Sequence, residues 1–161
     1  MNGGRKIVLV RLCIIALVVN LAGWAIAAQP SDTPRLWQSL SASTTPSGGK
    51  VWIIREQAIS FPEPVLSMLT DPSQALPLTF AVDLDGVIRT VDMTKRSTSE
   101  LSSTIVQGRL QGAQTGEIFL AIHGEAVAGT VSLGQRRWKI EYTGRARHRL
   151  IEFDPEKLPP D

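Results

Sequence analysis

The side chains of this chain that could bind a metal or act as general bases are few and scattered. The two histidines, His123 and His148, lie 25 positions apart, and neither has a carboxylate at ligand spacing. A protein zinc site takes three or four ligands drawn from histidine, cysteine and carboxylate side chains. We therefore expect two solvated surface histidines, no metal site and no cofactor.

A hydrolytic site is equally hard to assemble from the sequence. The chain has many serines but no G-x-S-x-G segment to position one as a nucleophile. Asp85 precedes Gly86 and is explained by turn geometry alone. Glu152 and Asp154 alternate on one predicted strand, where a solvated pair facing nearby arginines is the simplest interpretation. We predict that the protein is not an enzyme.

Positive charge is concentrated near the end of the chain, at Arg136, Arg137, Lys139, Arg145, Arg147 and Arg149. One interpretation is an outer face that protects strand edges from aggregation. The other is a patch for an acidic partner or an anionic surface. If the patch binds a protein, the candidate contact residues are Arg145, Arg147, Arg149, Glu152 and Asp154.

The first 27 residues have the pattern of a signal peptide. Arg5 and Lys6 precede an apolar stretch over residues 12–22, and the segment Ala25-Ile26-Ala27 offers small residues to a signal peptidase. Cleavage is expected after Ala27, with Ala28 as the other choice, and export to the periplasm or the extracellular space follows. The alternative is an uncleaved membrane anchor over residues 7–28.

Removal of this leader changes the charge balance of the chain. Arg5, Lys6 and Arg11 leave with the leader, so 14 basic residues face 15 acidic ones and the formal charge falls from +2 to −1. A nucleic-acid partner is therefore not expected. Cys13, the only cysteine, also lies in the leader, so the exported chain has no disulfide and must be stabilised by a hydrophobic core.

The exported part divides by composition into two regions. Residues 28–50 are rich in Pro, Ser, Thr and Gly, which predicts a disordered segment. Within it, Leu36 and Trp37 are either a local docking point or exposed side chains. Residues 51–161 read as one β-domain, in which residues 65–69 form either a helical turn or a short strand.

Alternating apolar positions predict an antiparallel meander in this β-domain. Asp85-Gly86 is a strong hairpin turn between the strands 78–84 and 87–93, and a polar loop at 95–100 precedes a strand at 103–110. Four further strands follow between residues 117 and 153. Their core-facing residues are predicted to be Ile118, Leu120, Ile122, Val127, Gly129, Val131, Leu133, Trp138, Ile140, Tyr142, Ile151 and Phe153. The fold class is all-β, with seven or eight short strands in a curled sheet, small barrel or sandwich.

The order of several short motifs in residues 78–161 resembles that of a known domain. The motifs are Leu84-Asp85-Gly86, residues 106–110 (VQGRL), residues 128–131 (AGTV), Trp138-Lys139-Ile140, residues 148–154 (HRLIEFD) and the ending Leu158-Pro159-Pro160. This order is similar to the N-terminal pro-region of secreted reprolysin-like zinc metalloendopeptidases. In that family the proline-rich exit leads directly into the catalytic domain.

The resemblance implies a binding domain rather than a peptidase. The H-E-x-x-H-x-x-G-x-x-H zinc motif of the catalytic domain does not occur here, and the chain after the leader has no cysteine to occupy a zinc as in some pro-regions. The expected function is binding of a protein, with a separately encoded zinc metallopeptidase as candidate partner, as an inhibitor or folding aid. The alternative is a structural or adhesive cell-envelope module with no peptidase partner.

Overall fold

The computed structural model describes residues 33–45 and 50–158, so the predicted leader and the last three residues lie outside the described part. In the described part, nine strands and one short α-helix follow one another along the chain. They are β1 (Gln38–Ser39), β2 (Ile53–Ser60), α1 (Glu63–Thr70), β3 (Leu78–Leu84), β4 (Val87–Thr98), β5 (Thr104–Leu110), β6 (Gly116–His123), β7 (Ala126–Leu133), β8 (Arg136–Gly144) and β9 (Arg147–Phe153).

The strands form one antiparallel sheet in the order β1-β2-β9-β8-β7-β6-β5-β4-β3. From β3 to β9 each strand pairs with the next along the chain, as the alternating pattern and the glycine turns predict. The exception is β2, which pairs with the last strand, β9. The all-β curled sheet expected from the sequence is therefore confirmed.

Residues 33–45, which we call the closing segment, join the two sides of the sheet. Leu36 N donates to Ala81 O at 2.8 Å and Ala81 N donates to Pro34 O at 2.9 Å, which attaches the segment to β3. Leu40 N then donates to Ala58 O at 2.8 Å, which attaches it to β2. Because this segment is bonded to both β2 and β3, it covers the seam between them and closes the curled sheet into a barrel.

The closing segment corrects the expectation of disorder for residues 33–45, while residues 28–32 and 46–49 of that prediction lie outside the described residues. Leu36 and Trp37 are 0% and 1% exposed and belong to the hydrophobic core, and the Trp37 ring packs edge-on against Phe61 with centroids 6.0 Å apart. The composition of the segment is that of a loop, but two large side chains and a set of backbone hydrogen bonds offset its ordering entropy.

The barrel interior is filled by side chains from every long strand. The deepest are Phe80, Leu84, Met93, Ile118, Leu120, Ile122 and Ile140, each less than 2% exposed. At three inward glycines, Gly108, Gly116 and Gly129, an added Cβ would lie within 3.0 Å of an atom of a neighbouring strand. A Cβ on Gly129 would lie 2.7 Å from Leu120 Cδ2 and closer still to the carbonyl oxygen of Phe119.

The helix closes one end of the barrel, which we call the helix end. The open possibility for residues 65–69 resolves as helix α1, whose Val65 and Leu69 are buried in the core. Arg96 of β4 donates to the carbonyl oxygens of Leu69 and Met68 at 2.7 and 3.0 Å. These bonds satisfy carbonyl groups of the last helical turn, which has no basic residue of its own. No helix in the described residues is long and apolar enough to cross a membrane.

Two expectations about the strands were wrong. The polar segment 95–100 is not a loop from its start, because β4 continues to Thr98 after an irregularity between Met93 and Lys95. On β9 the residues that share the face of Trp138 and Ile140 are His148, Leu150 and Glu152 rather than Ile151 and Phe153, although Ile151 is also buried, at 1% exposure, on the other face. The first three are opposite Tyr142, Ile140 and Trp138 of β8. Leu150 and Ile151 are both apolar, so alternation alone did not decide which one faces inward.

Candidate functional site

The five residues proposed to contact a partner are distributed along the full length of β9. Arg145 lies in the turn before this strand, at the helix end, and Asp154 follows the strand at the opposite end. Seven extended residues span about 23 Å. We call this opposite end the exit end, because residues 154–158 leave the barrel there. The three arginines and the two carboxylates therefore do not form one patch.

Arg149 is already paired within its own sheet. Its guanidinium donates to Glu141 Oε2 at 2.8 Å and lies 3.5 Å from Glu56 Oε2. Glu141 Oε1 also accepts a hydrogen bond from Lys139 Nζ at 2.9 Å. The hydrogen bonds from Lys139 and then Arg149 lower the pKa of this carboxyl, although partial burial opposes them. Arg145 and Arg147 form no ion pair with any described residue.

Glu152 is not the solvated carboxylate that the sequence suggested. It is 5% exposed and faces the barrel interior at the exit end. Arg136 Nε donates to Glu152 Oε1 at 2.6 Å and Nη2 donates to Oε2 at 2.8 Å, which is a two-pronged guanidinium–carboxylate pair. The same guanidinium lies over the Trp138 ring, 4.7 Å from its centroid.

A second carboxylate extends this pair into a cluster. Asp85 Oδ2 accepts hydrogen bonds from Arg55 of β2 and from Arg136, the latter at 3.3 Å. Partial burial would raise the pKa of Asp85, but the hydrogen bonds and charges of Arg55 and Arg136 outweigh it and lower the pKa. On the other side of the ion pair, the hydrogen bond with Glu152 raises the pKa of Arg136. We call Arg55, Asp85, Arg136 and Glu152 the exit-end ion cluster.

The exit-end ion cluster joins elements that are distant in the sequence. Arg55 and Asp85 are separated by 30 positions, and Asp85 and Arg136 by 51. Each carboxylate of the cluster accepts hydrogen bonds from at least one guanidinium group. The cluster covers the apolar interior at this end with polar groups, whereas helix α1 covers the other end with apolar side chains.

His148 is buried, which corrects its prediction as a surface residue. It is 1% exposed, and its Nε2 accepts a hydrogen bond from Val127 N at 3.1 Å. The ring packs against Phe61 and Tyr142, with centroids 5.0 and 5.2 Å away. Burial lowers the pKa of His148, although the backbone carbonyl groups of Glu125 and Ala146 and the charge of Glu125 oppose this shift. The other histidine, His123, is exposed at the end of β6.

Within residues 33–45 and 50–158, no three His, Cys, Asp or Glu side chains are grouped as a metal site would require. Glu152 and Asp154 also have different partners: Glu152 pairs with Arg136, and Asp154 pairs with residues of the exit. Asp154 Oδ1 accepts a hydrogen bond from Glu156 N at 3.0 Å, and its Oδ2 is 2.9 Å from Lys157 Nζ. Asp154 thus caps the short 3-10 turn of the exit, Pro155–Lys157.

Exposed apolar side chains are concentrated around the exit end. Nine large apolar residues of the described part are exposed, and five of them lie at the starts of β2 and β4 or in the exit. Their exposed fractions are 86% for Val51, 41% for Ile54, 49% for Val87, 51% for Ile88 and 44% for Leu158. We call these five residues the exit-end apolar rim.

The members of this rim lie on adjoining elements. The Arg55–Asp85 ion pair connects the start of β2 to the turn that precedes Val87. Asp154 N donates to Trp52 O at 2.9 Å, which connects the exit to the same part of β2. Sequence reasoning missed this rim, because its members come from three segments that are far apart in the chain.

Comparisons with protein-family models, with curated proteins and with solved structures find no match to this chain.

Proposed function

We propose that the protein is an exported, non-catalytic β-barrel domain that binds a protein partner with its exit end. The resemblance of residues 78–161 to a metallopeptidase pro-region makes a separately encoded zinc metallopeptidase the candidate partner. The domain would act on that partner as an inhibitor or a folding aid.

The observation that carries the proposal is the exit-end apolar rim. Exposed apolar patches with polar residues around them are typical of protein-binding surfaces, and arginine is enriched among the residues that contribute most to binding energy there. Here five exposed apolar side chains lie at the same end of the barrel as the two arginines of the exit-end ion cluster. The ion pairs fix those arginines in place, so little side-chain entropy is lost when a partner covers them.

The exit also supports binding at this end. In the resembled family the proline-rich exit leads directly to the catalytic domain, and the described part of the exit, up to Leu158, adjoins the rim. A partner held at this end would contact the rim and the exit together.

The test is binding of the mature protein to a purified zinc metallopeptidase from the same source, measured by biolayer interferometry. We expect the double variant Val87→Ser/Ile88→Ser to weaken binding by about tenfold or more, which corresponds to about 1.4 kcal/mol. Leu101→Ser is the matched control, because Leu101 is 83% exposed but lies in the turn at the helix end.

A second variant distinguishes the two ends of β9. Reversal of Arg145, Arg147 and Arg149 to glutamate changes the helix end and the middle of the strand but leaves the rim intact. If this reversal weakens binding more than the rim variant does, the interface lies at the helix end. If the mature protein binds no peptidase and instead retains cells or envelope fragments, the structural or adhesive alternative replaces the proposal.

A further inference from the structure

The outward face of the sheet carries a shallow groove whose lining shares no residue with the exit-end apolar rim or the exit-end ion cluster. The groove has a volume of about 490 Å³ and crosses strands β4 to β7. Its lining includes Lys95, Gln107, Arg109, Glu117, Phe119 and Thr130. None of these outward side chains belongs to the hydrophobic core.

Strand register arranges the lining of this groove in regular rows. Gln107 is opposite both Lys95 and Phe119, and Phe119 is opposite Thr130, so one row crosses four strands. A second row, offset by two residues along each strand, begins with Arg109 and Glu117 and continues through Ser132 and Arg137. Adjacent strands are about 4.8 Å apart, so each row spans roughly 14 Å across the strands.

Two further depressions continue the groove in both directions. One of about 400 Å³ shares Thr94, Lys95 and Gln107 with it. The other, of about 380 Å³, shares Arg109, Glu117 and Ser132 and reaches Arg137. The surface is therefore an elongated track, suited to a linear ligand rather than a compact one.

The chemistry of the track differs from that of the exit-end apolar rim. Seven of its 21 lining residues carry hydroxyl or amide groups, and Phe119, 38% exposed, is its single large exposed apolar side chain among the described residues. Protein interfaces depend on large apolar anchors that are fully desolvated in pockets. An aromatic ring among neutral hydrogen-bonding groups instead fits the C–H face and hydroxyl groups of a sugar chain.

The charges along the track favour an anionic ligand. Lys95, Arg109 and Arg137 form no ion pair with any described residue, whereas Arg55, Arg136 and Arg149 are all paired. Of these three cations, Arg137 also donates from Nη1 to the carbonyl oxygens of Gly134 and Arg136 at 2.6 and 3.0 Å. Against the three cations the track has one carboxylate, Glu117.

A second carboxylate adjoins the track. Asp92 is opposite Arg109, but its oxygens already accept hydrogen bonds from Thr79 and Gln111 at 2.7 and 2.8 Å.

We propose that this track binds a linear acidic polysaccharide, a chain of sugars bearing uronic acid carboxylates. Phe119 stacks on a sugar ring, Gln107 and Thr130 bond its hydroxyl groups, and Arg109 and Arg137 pair with its carboxylates. This second binding activity does not depend on the exit end.

The test is titration of the mature protein with a hexamer of galacturonic acid by isothermal titration calorimetry at low salt. We expect saturable one-site binding, about tenfold weaker for Phe119→Ala and for Arg109→Gln, and little or no heat with a neutral glucose hexamer. Phe119→Leu keeps an apolar side chain but removes the ring, so it should also weaken binding. Thermal unfolding establishes that each variant is folded.

The matched control is Arg145→Gln/Arg147→Gln, which removes two unpaired cations far from the track. Equal weakening by this control and by Arg109→Gln would show general charge attraction and overturn the proposal. Absence of saturable binding to the galacturonate hexamer would also overturn it. So would equally tight, Phe119-dependent binding of a glutamate hexapeptide, because that result would make the ligand an acidic protein segment. The exit-end variant Val87→Ser/Ile88→Ser should bind the hexamer normally, so either proposal can fail without the other.

Discussion

Glu152 and His148 are the two polar or charged residues that the described part of the barrel buries in its core-facing layer, one at each end. Each solves the problem of a buried polar group differently. Glu152 is paired with a guanidinium through two hydrogen bonds, whereas His148 remains neutral and accepts one bond from a backbone N–H. Because Nε2 is the acceptor, the proton of the neutral ring is on Nδ1, which has no partner among the described residues.

Removing the charge of Glu152 should destabilise the barrel without changing its shape. Glu152→Gln keeps the volume of the side chain but leaves Arg136 facing a neutral amide, so we expect a loss of about 1–2 kcal/mol in the free energy of unfolding. Urea unfolding measures it. Glu100→Gln, in an exposed turn, should change stability by less than about 0.5 kcal/mol. Equal effects of the two changes would show that the Arg136–Glu152 pair contributes nothing.

Burial of His148 should make the stability of the protein depend on pH. Its pKa is lowered in the folded state, so below about pH 6.5 the unfolded chain takes up a proton more readily than the folded chain. Stability is therefore fully present above this pH and falls as the pH falls toward the lowered pKa. Urea unfolding at pH 7.5 and 5.5 measures the loss.

The variants isolate the histidine responsible. His148→Phe should lower stability at both pH values, because Val127 N loses its acceptor, but should remove most of the difference between them. His123→Gln changes an exposed histidine and should leave the difference intact. If the difference survives in His148→Phe, another group causes it.

The closing segment is the element whose structure departs most from its composition. Its central residues Gln38–Ser39 form only a two-residue strand, yet Leu36 and Trp37 fill the core where β2 and β3 would otherwise be separated. The side chains after Trp37 in the segment are exposed. Its contribution to stability should therefore be concentrated in two side chains.

Shortening Trp37 tests this contribution. Trp37→Ala removes a fully buried ring and leaves a cavity next to Phe61, so we expect a loss of about 3–5 kcal/mol. Leu40→Ala is the control on the same segment, because Leu40 is 51% exposed and its backbone bond to Ala58 does not need the side chain. Chemical denaturation compares the two. A Trp37→Ala protein as stable as Leu40→Ala would mean that the segment does not close the barrel in solution.

Close approach of β6 and β7 makes Gly129 a sensitive position. Gly129→Ala should cost about 1–3 kcal/mol, because its Cβ would overlap the Phe119 carbonyl oxygen and the side chain of Leu120, so the strands must separate. Gly124→Asn is the matched control. Gly124 has open space around it and a φ of 58°, which asparagine tolerates. Thermal unfolding should show a large decrease in Tm for the first variant and a small one for the second.

At the scale of the whole molecule, two seals of different chemistry close one barrel. The helix end is covered by the apolar face of α1, and the exit end by the exit-end ion cluster. Asp85 is the member of the cluster that ties the β3–β4 turn to both β2 and β8. Asp85 therefore adds a side-chain link between β2 and the β3–β4 turn at the exit end of the seam.

Acid should remove the contribution of Asp85. Its pKa is lowered in the folded state, so its stabilisation is present above about pH 4 and is lost as the pH falls through the lowered pKa. Asp85→Asn should thus be less stable than the native protein at pH 7, and the two should converge near pH 2. Thermal unfolding at both pH values measures the difference. A difference of the same size at pH 2 would assign the effect to the turn conformation, where Asp85 has a φ of 62°.

Turn residues and apolar alternation were sufficient to predict much of the sheet, but they predicted little of the candidate sites. The Asp85-Gly86 turn and the alternation in β3, β6 and β8 placed Phe80, Ile118 and Ile140 on the core face, where the structure has them. The same reasoning failed on β9, because an apolar pair at 150 and 151 fits either face. It also failed for Lys95, where the irregularity in β4 depends on the neighbouring strand.

The sequence by itself determined the all-β class, the antiparallel meander and most of its turns, because glycine turns and a two-residue period are local properties of the chain. Tertiary structure alone decided the closure of the seam by residues 33–45, the burial of His148 and Glu152, and the meeting of Arg55, Asp85 and Arg136. The physical reason is sequence separation. These contacts join positions dozens of residues apart, and only the curvature of the closed sheet brings them within hydrogen-bonding distance.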